Sequence, residues 1–250
     1  MRIALLVTCL VDLFRPSVGF ATVSLLERLG AEVVVPPEQT CCGQPAYNNG
    51  DYETARAIAR QVIAAFAGFD HVIVPSGSCA GMLVRHYPEL FRDEPETLAQ
   101  AQSLAARTRE LSAFLAEAGE PVTDAHFSGK VAIHDSCSAR RELGVHAAPR
   151  ALLGKLAGVE AVELKDAEVC CGFGGTFCVK YPDISARMVS DKAAAVIASG
   201  ADVLVSGDLG CLMNIAGRLK RMDSPVRVYH LAELLAGMTD APGIGDGSKT

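Results

Sequence analysis

The chain has 250 residues, half of them hydrophobic and 21% charged, which supplies a packed core and excludes a disordered chain. A net charge of −6, no tryptophan and only 6% aromatic residues leave neither a basic stripe nor a stacking platform for nucleic acid. No apolar run reaches the roughly 18 residues needed to span a bilayer.

The opening run Met1-Arg2-Ile3-Ala4-Leu5-Leu6-Val7 superficially resembles a signal peptide. It has no small-residue cleavage site and reads as a buried first strand over 2–7. A helix follows over 18–29, then a second strand over 32–35. The dipeptide Cys41-Cys42 with Gly43 comes next. Ala55, Ile58, Ala59, Val62, Ile63 and Phe66 recur at helical spacing, and a third strand over 71–75 leads into Cys79. Residues 93–129 carry Leu98, Ala101, Leu104, Leu111, Phe114 and Leu115 at helical spacing. They predict one long connecting helix that breaks near Gly119-Glu120-Pro121.

The plan then repeats. Cys137 lies 128 residues after Cys9, Cys170 lies 129 after Cys41, and Cys211 lies 132 after Cys79. Strands are expected over 130–135, 161–164 and 202–206, with helices over 149–156 and along Ile184, Met188, Ala193, Val196 and Ile197. Two homologous halves follow, residues 1–92 and 130–236, joined by 93–129 and ending in a flexible tail, 237–250. Alternating strands and helices predict an α/β fold of two βαβ-type halves with parallel sheets related by pseudo-two-fold symmetry.

Nine cysteines without an export signal place the chain in a reducing cytoplasm, where patterned thiols bind metal or do redox chemistry. Ligands of open α/β sheets sit beyond the carboxyl ends of the strands. Cys9, Cys79, Cys137 and Cys211 each follow a strand, and each CC pair follows another. Three loops per half therefore deliver four thiols to one place: Cys9, Cys41, Cys42 and Cys79, then Cys137, Cys170, Cys171 and Cys211. Four thiolates are the ligand set of an iron–sulfur cluster. Structural zinc uses tight C-x₂₋₄-C knuckles, which this chain lacks. A metal-free thiol–disulfide protein and a zinc-bound scaffold are the alternative readings. Cys178 has no first-half counterpart and reads as a packing residue. His134, near Cys137, either pairs with Asp135, tunes a cluster, or is an ordinary strand-end histidine. Arg140-Arg141 reads as a solvated pair or a carboxylate site. No G-x-G-x-x-G fingerprint is present, so no NAD or FAD site is expected.

The duplicated Cys…CCG…Cys pattern resembles the cysteine-rich CCG domain found in heterodisulfide reductase and in the glycolate oxidase iron–sulfur subunit. Thr40-Cys41-Cys42-Gly43-Gln44-Pro45-Ala46, Pro75-Ser76-Gly77-Ser78-Cys79, Cys170-Cys171-Gly172-Phe173-Gly174-Gly175-Thr176-Phe177 and Ser206-Gly207-Asp208-Leu209-Gly210-Cys211 are similar to the lactate utilization protein A branch of that family. The similarity runs to about residue 236. It implies an iron–sulfur subunit of a cytoplasmic complex that oxidises L-lactate to pyruvate, with partner subunits that include a ferredoxin-like iron–sulfur protein. In the CCG-domain subunit of heterodisulfide reductase a fifth cysteine completes a noncubane centre. Here Met82 and Asn214 stand at that place, a departure that tells against a noncubane centre; four thiols per half suffice for a [4Fe–4S] cluster, and the alternative is that one half, the second before the first, has lost its cluster.

Overall fold

The computed structural model describes residues 1–119 and 125–246. Its strands form two four-stranded sheets, and every pairing is parallel. The first holds β1 (Arg2–Leu5), β2 (Glu32–Val34), β3 (His71–Val74) and β4 (Thr108–Glu110) in the order β2-β1-β3-β4. The second holds β5 (His126–Ile133), β6 (Ala157–Val162), β7 (Val203–Ser206) and β8 (Arg227–His230) in the order β6-β5-β7-β8. The register repeats too. Ile3 lies between Val33 and His71, and Val131 lies between Ala161 and Val203. These are the two parallel, homologous halves that the sequence predicts.

Alternate residues of a strand face opposite sides of its sheet. In β1 that divides the core. Ala4 joins Val72, Val74, Val62 and Phe66 in a core confined to the first half. Ile3 turns the other way, into a core shared with Val131, Ile133, Val203 and Val205. In β5, Ala132 faces Leu204 and Val196 in a core confined to the second half. The shared core is filled by Val18, Leu25 and Leu26 of helix Pro16–Arg28, by Leu111 and Leu115 of helix Leu111–Glu117, and by Leu152 and Leu231. Burial on both faces explains why the central strands read as continuous apolar runs.

The connecting segment differs from expectation. The single helix predicted over 93–129 is two helices, Pro95–Arg107 and Leu111–Glu117, with β4 between them. Thr108 pairs with Val72 on β3, so the chain adds an edge strand before it turns helical again. Residues 120 and 121 of the expected break lie outside the described residues. Strand β8 was likewise unforeseen, and β6 begins four residues before the predicted 161. Short helices Cys9–Phe14 and Cys137–Leu143 start at the cysteines themselves. The segment after Met238 runs back along β8, where the Ile244 N–H donates to the Val228 carbonyl at 2.7 Å.

The halves meet tightly beside the third-strand cysteines. A Cβ on Gly77 would stand 2.5 Å from the Ala139 Cβ, so only glycine permits helix Gly77–Gly81 to pack on helix Cys137–Leu143. The Gly77 N–H donates to the Gly207 carbonyl at 3.3 Å in the same seam.

Candidate metal centre

Every predicted cysteine lies at the carboxyl end of a sheet. Cys9 and Cys137 are the first residues of the helices after β1 and β5. Cys79 and Cys211 lie in the first turn of the helices after β3 and β7. The CC pairs occupy the loops after β2 and β6. Each pair turns at a glycine in the left-handed region, Gly43 at φ +80° and Gly172 at φ +83°. That turn lets adjacent residues serve one centre, which an extended strand would forbid.

The thiols neighbour one another in the same order in both halves. Cys9 meets Cys41, Cys41 meets Cys42, and the Cys42 and Cys79 Sγ atoms are 3.3 Å apart. Cys137 meets Cys170, Cys170 meets Cys171, and Cys171 meets Cys211. Backbone N–H groups also aim at sulfur: Gly172 at Cys170 Sγ, 3.4 Å, and Phe173 at Cys171 Sγ, 3.5 Å. Cys178 stands apart, its thiol donating to the Gly175 carbonyl at 3.6 Å.

In each cage the first cysteine of the CC pair is proton-poor beside proton-rich neighbours. Hydrogen bonds from Cys42 and Cys9 hold the Cys41 thiol well below its ordinary range, against the opposing effect of burial. Cys137 and Cys171 lower Cys170 in the same way. Cys9 and Cys137 are raised by donating those bonds and by burial. Cys42 is raised by its bonds to Cys41 and Cys79, and Cys171 by its bonds to Cys170 and Cys211. The bond from Cys171 lowers Cys211, but burial and the nearby Asp208 outweigh it and push the thiol up. Each cage is thus one proton-poor sulfur fed by protonated neighbours. A cation entering it displaces those protons and satisfies all four sulfurs at once. This donor chemistry fits a thiolate-bound metal or cluster.

Several residues that position the thiols carry no motif signal. The buried Tyr87 hydroxyl donates to the Cys42 carbonyl at 2.9 Å. In the second half Asn214 Nδ2 donates to the Cys171 carbonyl at 3.0 Å. Ser76 Oγ accepts from the Cys79 N–H at 3.3 Å, capping its own helix. Its repeat counterpart, Asp208, instead reaches across the seam. Asp208 Oδ2 accepts from the Ser78 N–H at 2.9 Å and from the Ser136 hydroxyl at 3.2 Å. Aligning the halves on Cys79 and Cys211 places Ser76 opposite Asp208, which was the available signal.

A cavity of about 190 Å³ opens on the first cage. Its walls include Cys9, Cys41, Cys42 and Cys79 from one half and Phe173, Gly175, Thr176, Asp208 and Leu209 from the other. The second CCG loop therefore covers the first centre. Phe173 is fixed there because its ring lies against Gly210, where a Cβ would stand 2.5 Å from it.

His134 does not pair with Asp135. That carboxylate is held by Arg140 at 2.7 Å and Arg150 at 2.9 Å, and Arg141 donates to the Glu168 carbonyl at 3.1 Å. Arg140 is therefore half-buried and tied to a buried carboxylate, while Arg141 is exposed. Burial, then the charge of Lys192, push His134 down to about 4, so the ring is neutral near pH 7.

Two parallel α/β sheets, each delivering four thiols to its carboxyl end, define a tandem cysteine-rich protein whose donor chemistry suits a metal or cluster. The family model described as a cysteine-rich domain, the CCG domain, matches twice, at residues 3–84 and 131–216. Lactate utilization protein A of Exiguobacterium sp. is 50% identical over 238 residues, covering 94% of this chain and 96% of that protein. The Geobacillus kaustophilus protein of the same name is 49% identical over 237 residues, covering 94% and 98%. The chain belongs to the lactate utilization protein A family. Among solved structures, a hypothetical protein from Helicobacter pylori shares the fold with a TM-score of 0.67 at 13% identity. The match covers 96% of this chain and spans 49% of that one. No helix among the described residues is long and apolar enough to cross a membrane.

Proposed function

We propose that this chain is the iron–sulfur subunit of a system that oxidises L-lactate to pyruvate, with [4Fe–4S] clusters held by Cys9, Cys41, Cys42 and Cys79 and by Cys137, Cys170, Cys171 and Cys211. The observation that carries the reading is the convergence of four neighbouring thiols at the carboxyl end of each sheet, made twice in one order. Bound clusters supply one-electron acceptance and release, which lactate oxidation needs twice per molecule. The chain's own residues bind and shield. Cys41 and Cys170 offer sulfur already short of protons. Tyr87 and Asn214 fix the CCG turns, and the Phe173 loop walls the cavity over the first cage. Among the described residues lining that cavity none is Lys or Arg, so a lactate carboxylate finds no countercharge there. This supports an electron-carrying role, with lactate bound on another subunit and a ferredoxin-like iron–sulfur protein among the partners, in the cytoplasm.

The test is anaerobic isolation of the full chain, followed by iron and acid-labile sulfide counting and EPR. Iron and sulfide are expected in equal amounts, with separate partial losses in Cys41→Ser and Cys170→Ser. Absence of iron with all thiols intact would point to metal-free thiol chemistry. Stoichiometric zinc with negligible iron would point to a scaffold.

A further inference from the structure

The two cages differ in one donor. Counting back three residues from Cys9 reaches Leu6, and from Cys137 reaches His134. Leu6 is buried and apolar. His134 is just as deeply buried, yet neither ring nitrogen has a hydrogen-bond partner among the described residues. An unpartnered buried nitrogen costs roughly 1–3 kcal/mol. Asp135, the adjacent carboxylate, is occupied by Arg140 and Arg150 and offers the ring nothing.

One ring nitrogen of His134 and the Sγ atoms of Cys171 and Cys211 all lie within 4.8 Å of one another. Metal–sulfur and metal–nitrogen bonds of about 2.3 and 2.0 Å place tetrahedral donors roughly 3.5–3.8 Å apart. A single metal atom set among these three donors therefore needs only small side-chain adjustments, and it satisfies the orphan nitrogen. We propose that His134 is a metal ligand, so that the second centre is a mixed nitrogen–sulfur site in which His134, Cys171 and Cys211 bind one metal atom, which replaces the four-thiol cluster in that half. The first centre, with Leu6 at the matching place, is held by sulfur. Imidazole in place of thiolate raises the reduction potential of an iron centre.

This rests on the reading that the thiol cages bind metal, and the experiment separates the two. Full-length protein carrying Cys41→Ser and Cys42→Ser, which silences the first cage, is titrated anaerobically with Co²⁺ alone. A thiolate-to-cobalt charge-transfer band is expected, and His134→Leu, the first half's own residue, should weaken Co²⁺ binding at least about tenfold. Should that variant misfold by circular dichroism, the unmutated chain labelled with ¹⁵N-histidine and reconstituted with iron and sulfide decides by pulsed EPR. A directly bound ¹⁵N coupling is the result expected. Equal Co²⁺ affinity with and without His134, or no ¹⁵N coupling, overturns the proposal and leaves the cages standing. A chain that binds neither cobalt nor iron overturns both.

Discussion

Removing one oxygen atom from Tyr87 tests how the CCG turn is held. The Tyr87 side chain is fully buried, and its hydroxyl meets the carbonyl of Cys42, itself a buried residue. Tyr87→Phe keeps the ring and its packing but strands that carbonyl. A neutral hydrogen bond contributes about 0.5–1.5 kcal/mol, and an orphaned buried acceptor costs up to about 3. For a domain of this size each kcal/mol shifts Tm by about 2–4 °C. With the orphaned-acceptor cost at about 1–3 kcal/mol, thermal melts of the reduced, metal-free chain should show a fall of roughly 2–12 °C. Alkylation followed by mass spectrometry should also find the Cys42 thiol reacting faster, because its loop is released. Asn214→Leu removes the equivalent donor to the Cys171 carbonyl, but Asn214 is only partly buried, so water can replace it and the fall should be smaller. A Tyr87→Phe melt within about 1 °C of the parent would refute the reasoning, since the Cys42 carbonyl would then be satisfied elsewhere.

The two CCG glycines should respond unequally to alanine. Both sit at positive φ, but a Cβ on Gly43 meets the movable Ile58 side chain at 3.3 Å, whereas on Gly172 it meets the Ser185 backbone carbonyl at 2.9 Å. Gly43→Ala should cost about 1–2 kcal/mol of left-handed strain, and Gly172→Ala distinctly more, by urea unfolding; equal midpoints would count against this. Glu110 gives a pH signature. Burial raises its carboxyl to about 7, against hydrogen bonds from Ser112 and the Ala113 N–H, with Asp208 adding to the rise. Its contribution to stability is complete below the unfolded value of 4.5 and is lost as pH climbs through about 7. His134 runs oppositely, losing its contribution as pH falls towards about 4, but it is common to parent and variant and cancels in their difference. Glu110→Gln should thus gain on the parent by up to about 3 kcal/mol between pH 5 and pH 8. A constant difference across that range would show that Glu110 stays ionised in the folded chain.

What the sequence made legible, and what it hid, follows from the range of the interactions involved. The duplication could be read because a strand end, a thiol and a glycine turn are local features whose spacing survives in both halves. β4 was hidden for a physical reason. Leu104, Thr108, Leu111 and Leu115 keep helical spacing straight through Thr108–Glu110, a strand with no apolar residue. Its assignment depends on Val72 and Ile73, more than thirty positions away. The site was legible in the same measure. All eight paired cysteines were named from spacing, but spacing within one half cannot reveal contacts between halves. Phe173 covers the other half's cage, and Asp208 holds the other half's Ser78 N–H. Both belong to the segments that deliver Cys171 and Cys211. A disturbance of the second CCG loop or of the start of helix Leu209–Arg221 is therefore transmitted directly to the walls of the first cavity. The reverse coupling exists too. Asn48 of the first half lines the cavity beside Cys170, and the Thr176 hydroxyl of the second CCG loop donates to Asn49 Oδ1 at 3.0 Å. The two halves share an ancestry in sequence, and each braces the other's cage through side chains at positions where the repeats disagree.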